Sequence, residues 1–136
     1  MNRSAAREET FKILYSLEVQ KEEKEQQIDL YLNNEKITDK NTVEYIYSTI
    51  NGIQEKLKDI ENEISKNLKA DWKIERISKV DLALLKLSIY EILFTDTPYK
   101  VAINEVIELS KKYSEDKSSN FINGILASIV KENKEN

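Results

Sequence analysis

Hydrophobic residues recur at helical spacing along almost the whole of this chain. From Ser4 to Lys21 the apolar stripe is Ala6, Thr10, Ile13, Leu14 and Leu17, widened by Phe11 and Tyr15, which predicts a first helix. Charge interrupts the pattern from Lys21 to Gln27. A short helix is predicted from Ile28 to Leu32, ending at Asn33-Asn34. Thr38 or Asp39 is placed to cap a long helix starting near Lys40. Its apolar positions are Val43, Ile46, Tyr47, Ile50, Ile53, Leu57, Ile60, Ile64 and Leu68, and Gly52 within it marks a bend or a tight packing point. The segment Asp71 to Ile77 reads as a hinge with one helical turn, and Trp72 as a plug for the core.

Ser78 is the natural cap of the next helix, which runs through Thr95 and is apolar almost all round. In a water-soluble fold such a helix is the central, buried one. Its polar exceptions Asp81, Ser88 and Glu91 fall within about one side of the cylinder, with Lys86 nearly opposite. They predict a narrow exposed strip open to a partner; the plainer reading of Asp81 is a carboxylate favoured in a first helical turn. Asp96-Thr97-Pro98 then turns the chain into two closing helices. One begins after Pro98 and carries Val101 to Leu109. The other begins near Ser118-Ser119, with Ile122, Ile125, Leu126 and Ile129 as its buried stripe. Gly124 falls opposite that stripe, beside Lys117 and Asn120, with Phe121 at the edge. A glycine there costs about 1 kcal/mol against alanine and lets a partner approach the backbone. Helix geometry alone favours an ordinary solvated face over a contact surface. The polar residues from Lys131 to Asn136 are expected to fray.

Composition narrows the chemistry. The 136 residues suit one domain with a real core, and only two Gly and one Pro suit an all-α fold. With neither Cys nor His, thiol chemistry, disulfides and the commonest general base and metal ligand are gone. There is no Gly-rich phosphate loop and no nucleophile with a basic partner. Glu105 and Glu108, at helical spacing on a polar face, read as salt-bridged or hydrated carboxylates. The expectation is a protein that is not an enzyme and carries no catalytic residues, metal or cofactor. No apolar run approaches the ~20 residues of a membrane span. Met1-Asn2-Arg3-Ser4 leads into a charged helix rather than a signal-peptide core, so a cytoplasmic location is expected.

The net charge is −4, whereas a protein that grips nucleic acid alone is usually basic. Local cationic clusters do exist: Arg3, Arg7 and Lys12 at one end, and Lys100, Lys111, Lys112 and Lys117 at the other. Tyr15, Tyr99, Tyr113 and Phe121 lie among them. Cations interleaved with aromatic faces suit single-stranded RNA. Arg3 and Arg7 are expected to project past the core as a cationic tip, against the helix dipole.

Four stretches resemble the NusB family of bacterial transcription antitermination factors. They are Ala6-Arg7-Glu8 with Ile13-Leu14-Tyr15-Ser16; Asp81 to Leu93; Pro98 to Glu105 with Glu108 to Tyr113; and Phe121-Ile122-Asn123-Gly124-Ile125-Leu126. The resemblance spans essentially the whole chain. It implies an all-α, compact bundle of about seven helices in two packed subdomains, roughly 1–70 and 71–136, and no enzymatic activity. It also implies that the chain, with the ribosomal protein NusE, binds the boxA element of nascent ribosomal RNA and joins the transcription elongation complex through other Nus factors. Termination would be suppressed and small-subunit RNA maturation supported. Carried over residue by residue, it implies RNA contacts at Arg3, Arg7, Tyr15, Lys117, Asn120, Phe121 and Gly124, and a NusE-facing side at Asp81, Ser88 and Glu91. Two departures stand out. The first helix has fewer arginines than many relatives carry, which should weaken phosphate binding, and Lys117 stands where relatives can carry an acidic residue, which should partly restore it. An acidic helical protein also complements a basic ribosomal one. The alternative is a helical interaction module, or a homodimer, without its own RNA role.

Overall fold

A computed structural model describes residues 1–20 and 23–134. Among the described residues seven α-helices follow one another: α1 (Arg3–Val19), α2 (Lys24–Asn34), α3 (Lys40–Glu55), α4 (Leu57–Lys66), α5 (Lys79–Phe94), α6 (Tyr99–Tyr113) and α7 (Asp116–Asn133). A single 3-10 turn, Ile74–Arg76, precedes α5. No strand occurs among the described residues, so the fold is all-α.

The all-round apolar helix is indeed the centre. α5 packs against α1, α3, α4, α6 and α7, and Leu84, Leu85, Leu87, Ile89 and Ile92 are shut off from solvent. The surrounding helices each give it one stripe: Ile13 and Leu14 from α1, Ile46, Ile50 and Ile53 from α3, Ile60 and Ile64 from α4, Ala102 and Val106 from α6, and Ile122, Ile125, Leu126 and Ile129 from α7. Two capping expectations hold. The Asp39 carboxylate accepts the Thr42 N–H at 3.0 Å, and the Ser78 hydroxyl accepts the Asp81 N–H at 3.1 Å, each satisfying an orphan donor of a first turn.

Helix α2 is longer than its short apolar pattern suggested, and it ends in a Schellman motif. The Ile37 N–H returns to the Leu32 carbonyl at 3.0 Å and the Lys36 N–H to that of Asn33 at 3.3 Å. Lys36 occupies the left-handed position of that motif, with φ of 55°. Ile37 and Leu32 are both buried, as the motif's hydrophobic contact requires. The first helix stops at Val19, and Lys21, where the pattern placed its end, lies outside the described residues.

The single long helix expected from Lys40 to Leu68 is two helices. The chain breaks at Lys56, and α3 and α4 then both pack on α5. Gly52 is the tight packing point. A Cβ there would lie 2.1 Å from the Tyr90 hydroxyl and 2.4 Å from the ring carbon bearing it, so α3 and α5 approach through the missing side chain. Trp72 is not a core plug: it is 45% exposed in the loop before the 3-10 turn, while Ile77 of the same segment goes inward.

The exposed strip predicted on α5 is also overturned. Asp81, Ser88 and Glu91 are all buried, and each is satisfied inside the fold. Asp81 accepts hydroxyl hydrogen bonds from Ser114 at 3.1 Å and Ser118 at 3.0 Å. The Ser88 hydroxyl donates to the Leu84 carbonyl at 2.8 Å. Glu91 receives Arg7, and Lys86 pairs with Glu18 of α1. Polar groups on a buried helix need such partners, because an unpaired one costs several kcal/mol (roughly 2–7).

Candidate nucleic-acid interface

The start of α1 is built around two arginines with different fates. Asn2 caps the helix, its side-chain oxygen accepting the Ala5 N–H at 2.8 Å. Arg3 stays at the surface, its guanidinium 4.2 Å from the centre of the Tyr45 ring on α3. That cation–π seat orients the charge and leaves it accessible. Arg7 does not project past the core as expected. It points inward and is 6% exposed, donating through Nε to both Glu91 oxygens, at 2.8 and 3.1 Å, and through Nη1 to Glu105 at 3.0 Å. Burial pulls its pKa down, but the Glu91 hydrogen bond and the charges around it outweigh that and raise it. Glu105 also accepts the Ser4 hydroxyl, and Thr97 donates to Glu91 at 3.2 Å. This clamp ties α1, α5 and α6 together.

One turn further on, α1 meets the end of α6. Glu8 accepts from Lys112 at 2.6 Å and from the Tyr113 hydroxyl. The Lys112 and Tyr113 hydrogen bonds hold the Glu8 carboxyl below its ordinary pKa, and the Glu8 carboxylate raises that of Lys112 in return. The Tyr113 ring stacks at 5.1 Å on Phe11, which lies 6.5 Å from Tyr15. Tyr15 is 39% exposed, with Phe11 buried beneath it. Lys12, on the same helix, pairs with Glu9 at 3.5 Å. The edge of α1 therefore combines cations with an aromatic row.

The α7 residues form the other wall. Lys117, Asn120 and Gly124 are exposed and Phe121 is half-buried at the edge of the apolar stripe. Nothing lies within 4 Å of a Cβ built on Gly124, so no packing demand explains the glycine. The turn that launches this helix is pinned by Asp81 through Ser114 and Ser118, which also bond each other at 2.7 Å. The two walls are joined through α5, by Arg7–Glu91 and Asp81–Ser118, and through α6, by Glu8–Lys112 and the 2.6 Å Ser110–Ser119 hydrogen bond. Residues distant in sequence thus share one scaffold, although Arg7 serves it from within.

Sequence reasoning missed a groove between α6 and α7. Lys100, Asn104 and Lys111 line one side, Ser119, Asn120 and Asn123 the other. The signal was present as the i, i+4, i+7, i+11 run Lys100, Asn104, Ile107, Lys111, which puts one stripe along α6. Glu108, on a neighbouring face, pairs with Lys111 at 3.5 Å. Among the described residues no group of carboxylates is arranged to hold a metal ion, and no helix is long and apolar enough to cross a membrane.

The model of the NusB family matches residues 4–131. The transcription antitermination protein NusB of Ruminiclostridium cellulolyticum is 44% identical over 132 residues, covering 96% of this chain and 90% of that protein. Among solved structures, a NusB of T. maritima superposes with a TM-score of 0.88 at 38% identity, covering 97% of this chain and 92% of that one. A crystal structure of the antitermination factors NusB and NusE in complex with dsRNA matches with a TM-score of 0.88 at 25% identity, covering 96% of each chain.

Proposed function

Because the chain belongs to the NusB family, we propose that it acts as a transcription antitermination factor that binds RNA together with NusE. The observation that carries this reading is the full-length likeness to a NusB found in complex with NusE and dsRNA. Its RNA target is the boxA element of nascent ribosomal RNA. Its consequences are suppression of premature termination, in concert with other Nus factors in the cytoplasm, and support of small-subunit RNA maturation. Chemistry on a substrate is not part of the role; the protein positions RNA and a protein partner.

Within this reading Arg3, Tyr15, Lys117, Asn120, Phe121 and Gly124 face the RNA. Arg7 supports them by holding the start of α1, since it is buried with its Nε bound to Glu91 and its Nη1 to Glu105. Asp81, Ser88 and Glu91 act from inside the fold rather than as an open partner surface. The net charge of −4 favours a basic ribosomal protein as partner, and the complex then offers RNA more positive charge than this chain alone.

The test is a titration of boxA RNA, its scrambled counterpart and a duplex RNA, with and without NusE, at two salt concentrations. Weak binding by the chain alone, tightened by NusE and selective for boxA, is expected. Equal affinity with and without NusE removes the cooperative part of the reading, and equal affinity for boxA and scrambled RNA removes the specific target. Arg3→Ala should lower the salt slope by about one phosphate contact.

A further inference from the structure

We propose that the α6–α7 groove reads unpaired bases of the bound RNA, with Asn104 and Asn123 as specificity-determining residues; this rests on the function proposed above. The first support is charge. Asp and Glu outnumber Lys and Arg in this chain, 25 to 21, yet the groove's lining holds two lysines and no carboxylate. Lys100 and Lys111 therefore place positive charge along a groove that runs between two helices. The Glu108 partner of Lys111 takes little of that charge away, because both side chains are 61% exposed and 3.5 Å apart.

The second support is the amides. Asn104, Asn120 and Asn123 line the groove from both helices. Asn104 and Asn123 lie in helix interiors, where Asn is a weaker helix former than Ala and neither residue caps an end. Neither side chain is held by a hydrogen bond within the described residues. A free side-chain amide offers two donors and an acceptor, the pattern that matches a base edge. The half-buried Ile103 and Ile107 form an apolar floor between them, suited to the flat face of an unstacked base. A basic protein segment would meet Lys100 and Lys111 as like charges, so the lining favours RNA over such a partner. Asn120 belongs both to this groove and to the exposed face of α7, so the groove continues the surface already described.

The experiment measures boxA and scrambled single-stranded RNA binding by fluorescence anisotropy, with NusE present, for the wild type, Asn104→Ala/Asn123→Ala and Lys100→Ala/Lys111→Ala. All four substitutions are at exposed helical positions, and circular dichroism verifies the fold. The asparagine variant should lose about tenfold or more of the preference for boxA, with an unchanged salt slope. The lysine variant should weaken both RNAs alike and lower the slope by roughly one to two. An asparagine variant that keeps wild-type discrimination overturns the inference alone. So does one that loses NusE binding while its direct RNA preference is intact, which would make the groove a protein surface. A wild type with no preference for boxA overturns the proposed function first, before any variant is compared.

Discussion

Gly52 and Gly124 both occupy helix interiors, yet a methyl group added at each meets opposite surroundings. At Gly52 it collides with the Tyr90 ring, so Gly52→Ala should destabilise the fold by about 1–3 kcal/mol, read from the urea midpoint. At Gly124 it meets open space, so Gly124→Ala should stabilise the free protein by about 1 kcal/mol. If RNA approaches the backbone there, the same variant should bind boxA more weakly; unchanged affinity would return Gly124 to an ordinary solvated face. The sequence marks both glycines as unusual but cannot rank them, because the deciding neighbour of Gly52 is on another helix. Arg7 and Arg3 make the same point with charge. They look alike as an i, i+4 pair, but only Arg7 finds Glu91 and Glu105, residues far along the chain. Arg7→Ala strands the buried Glu91 carboxylate and should cost about 3–5 kcal/mol in chemical denaturation.

Helix ends were legible wherever a local side chain closes them. Asp39 and Ser78 announce their helices through capping hydrogen bonds made within a few residues, and Pro98 announces its own through the fixed φ of its ring. The break at Lys56 was not legible, since the apolar stripe runs through it without a gap and no proline or glycine occupies the site. On either side of the break α3 and α4 both pack on α5, a contact between distant segments that no local pattern encodes. The end of α2 offers a direct test of local strain. Lys36 adopts a left-handed conformation that glycine accepts far more readily, so Lys36→Gly should stabilise the protein by about 1 kcal/mol in thermal or urea unfolding. A loss of stability would mean that the Lys36 side chain contributes more than its backbone costs.

For the molecule as a whole, α5 is the reason to expect one cooperative unfolding transition, since five helices pack on it and they come from both halves of the chain. Its buried polar residues were visible in the sequence as exceptions, but their meaning was misread. Whether Asp81 faces water or two serines depends on where the α6–α7 turn lands. The pH dependence is also a whole-chain property. With no His, no side chain has an ordinary pKa between about 6 and 8, and stability should be flat there. Glu8 is held below its ordinary value of 4.5 by Lys112 and Tyr113, so its contribution is complete above that value. It is lost as pH falls through the depressed folded value, and the melting temperature should drop in that window. Glu8→Gln should flatten part of the fall. The exposed position of Trp72 has a spectroscopic consequence. As the sole tryptophan, half in water before any unfolding begins, it should emit at long wavelength in the native state and shift little on denaturation. A fluorescence melt would then under-report the collapse of a core that Trp72 never entered, whereas quenching of the same indole by acrylamide would sense anything that docks over the loop between α4 and α5.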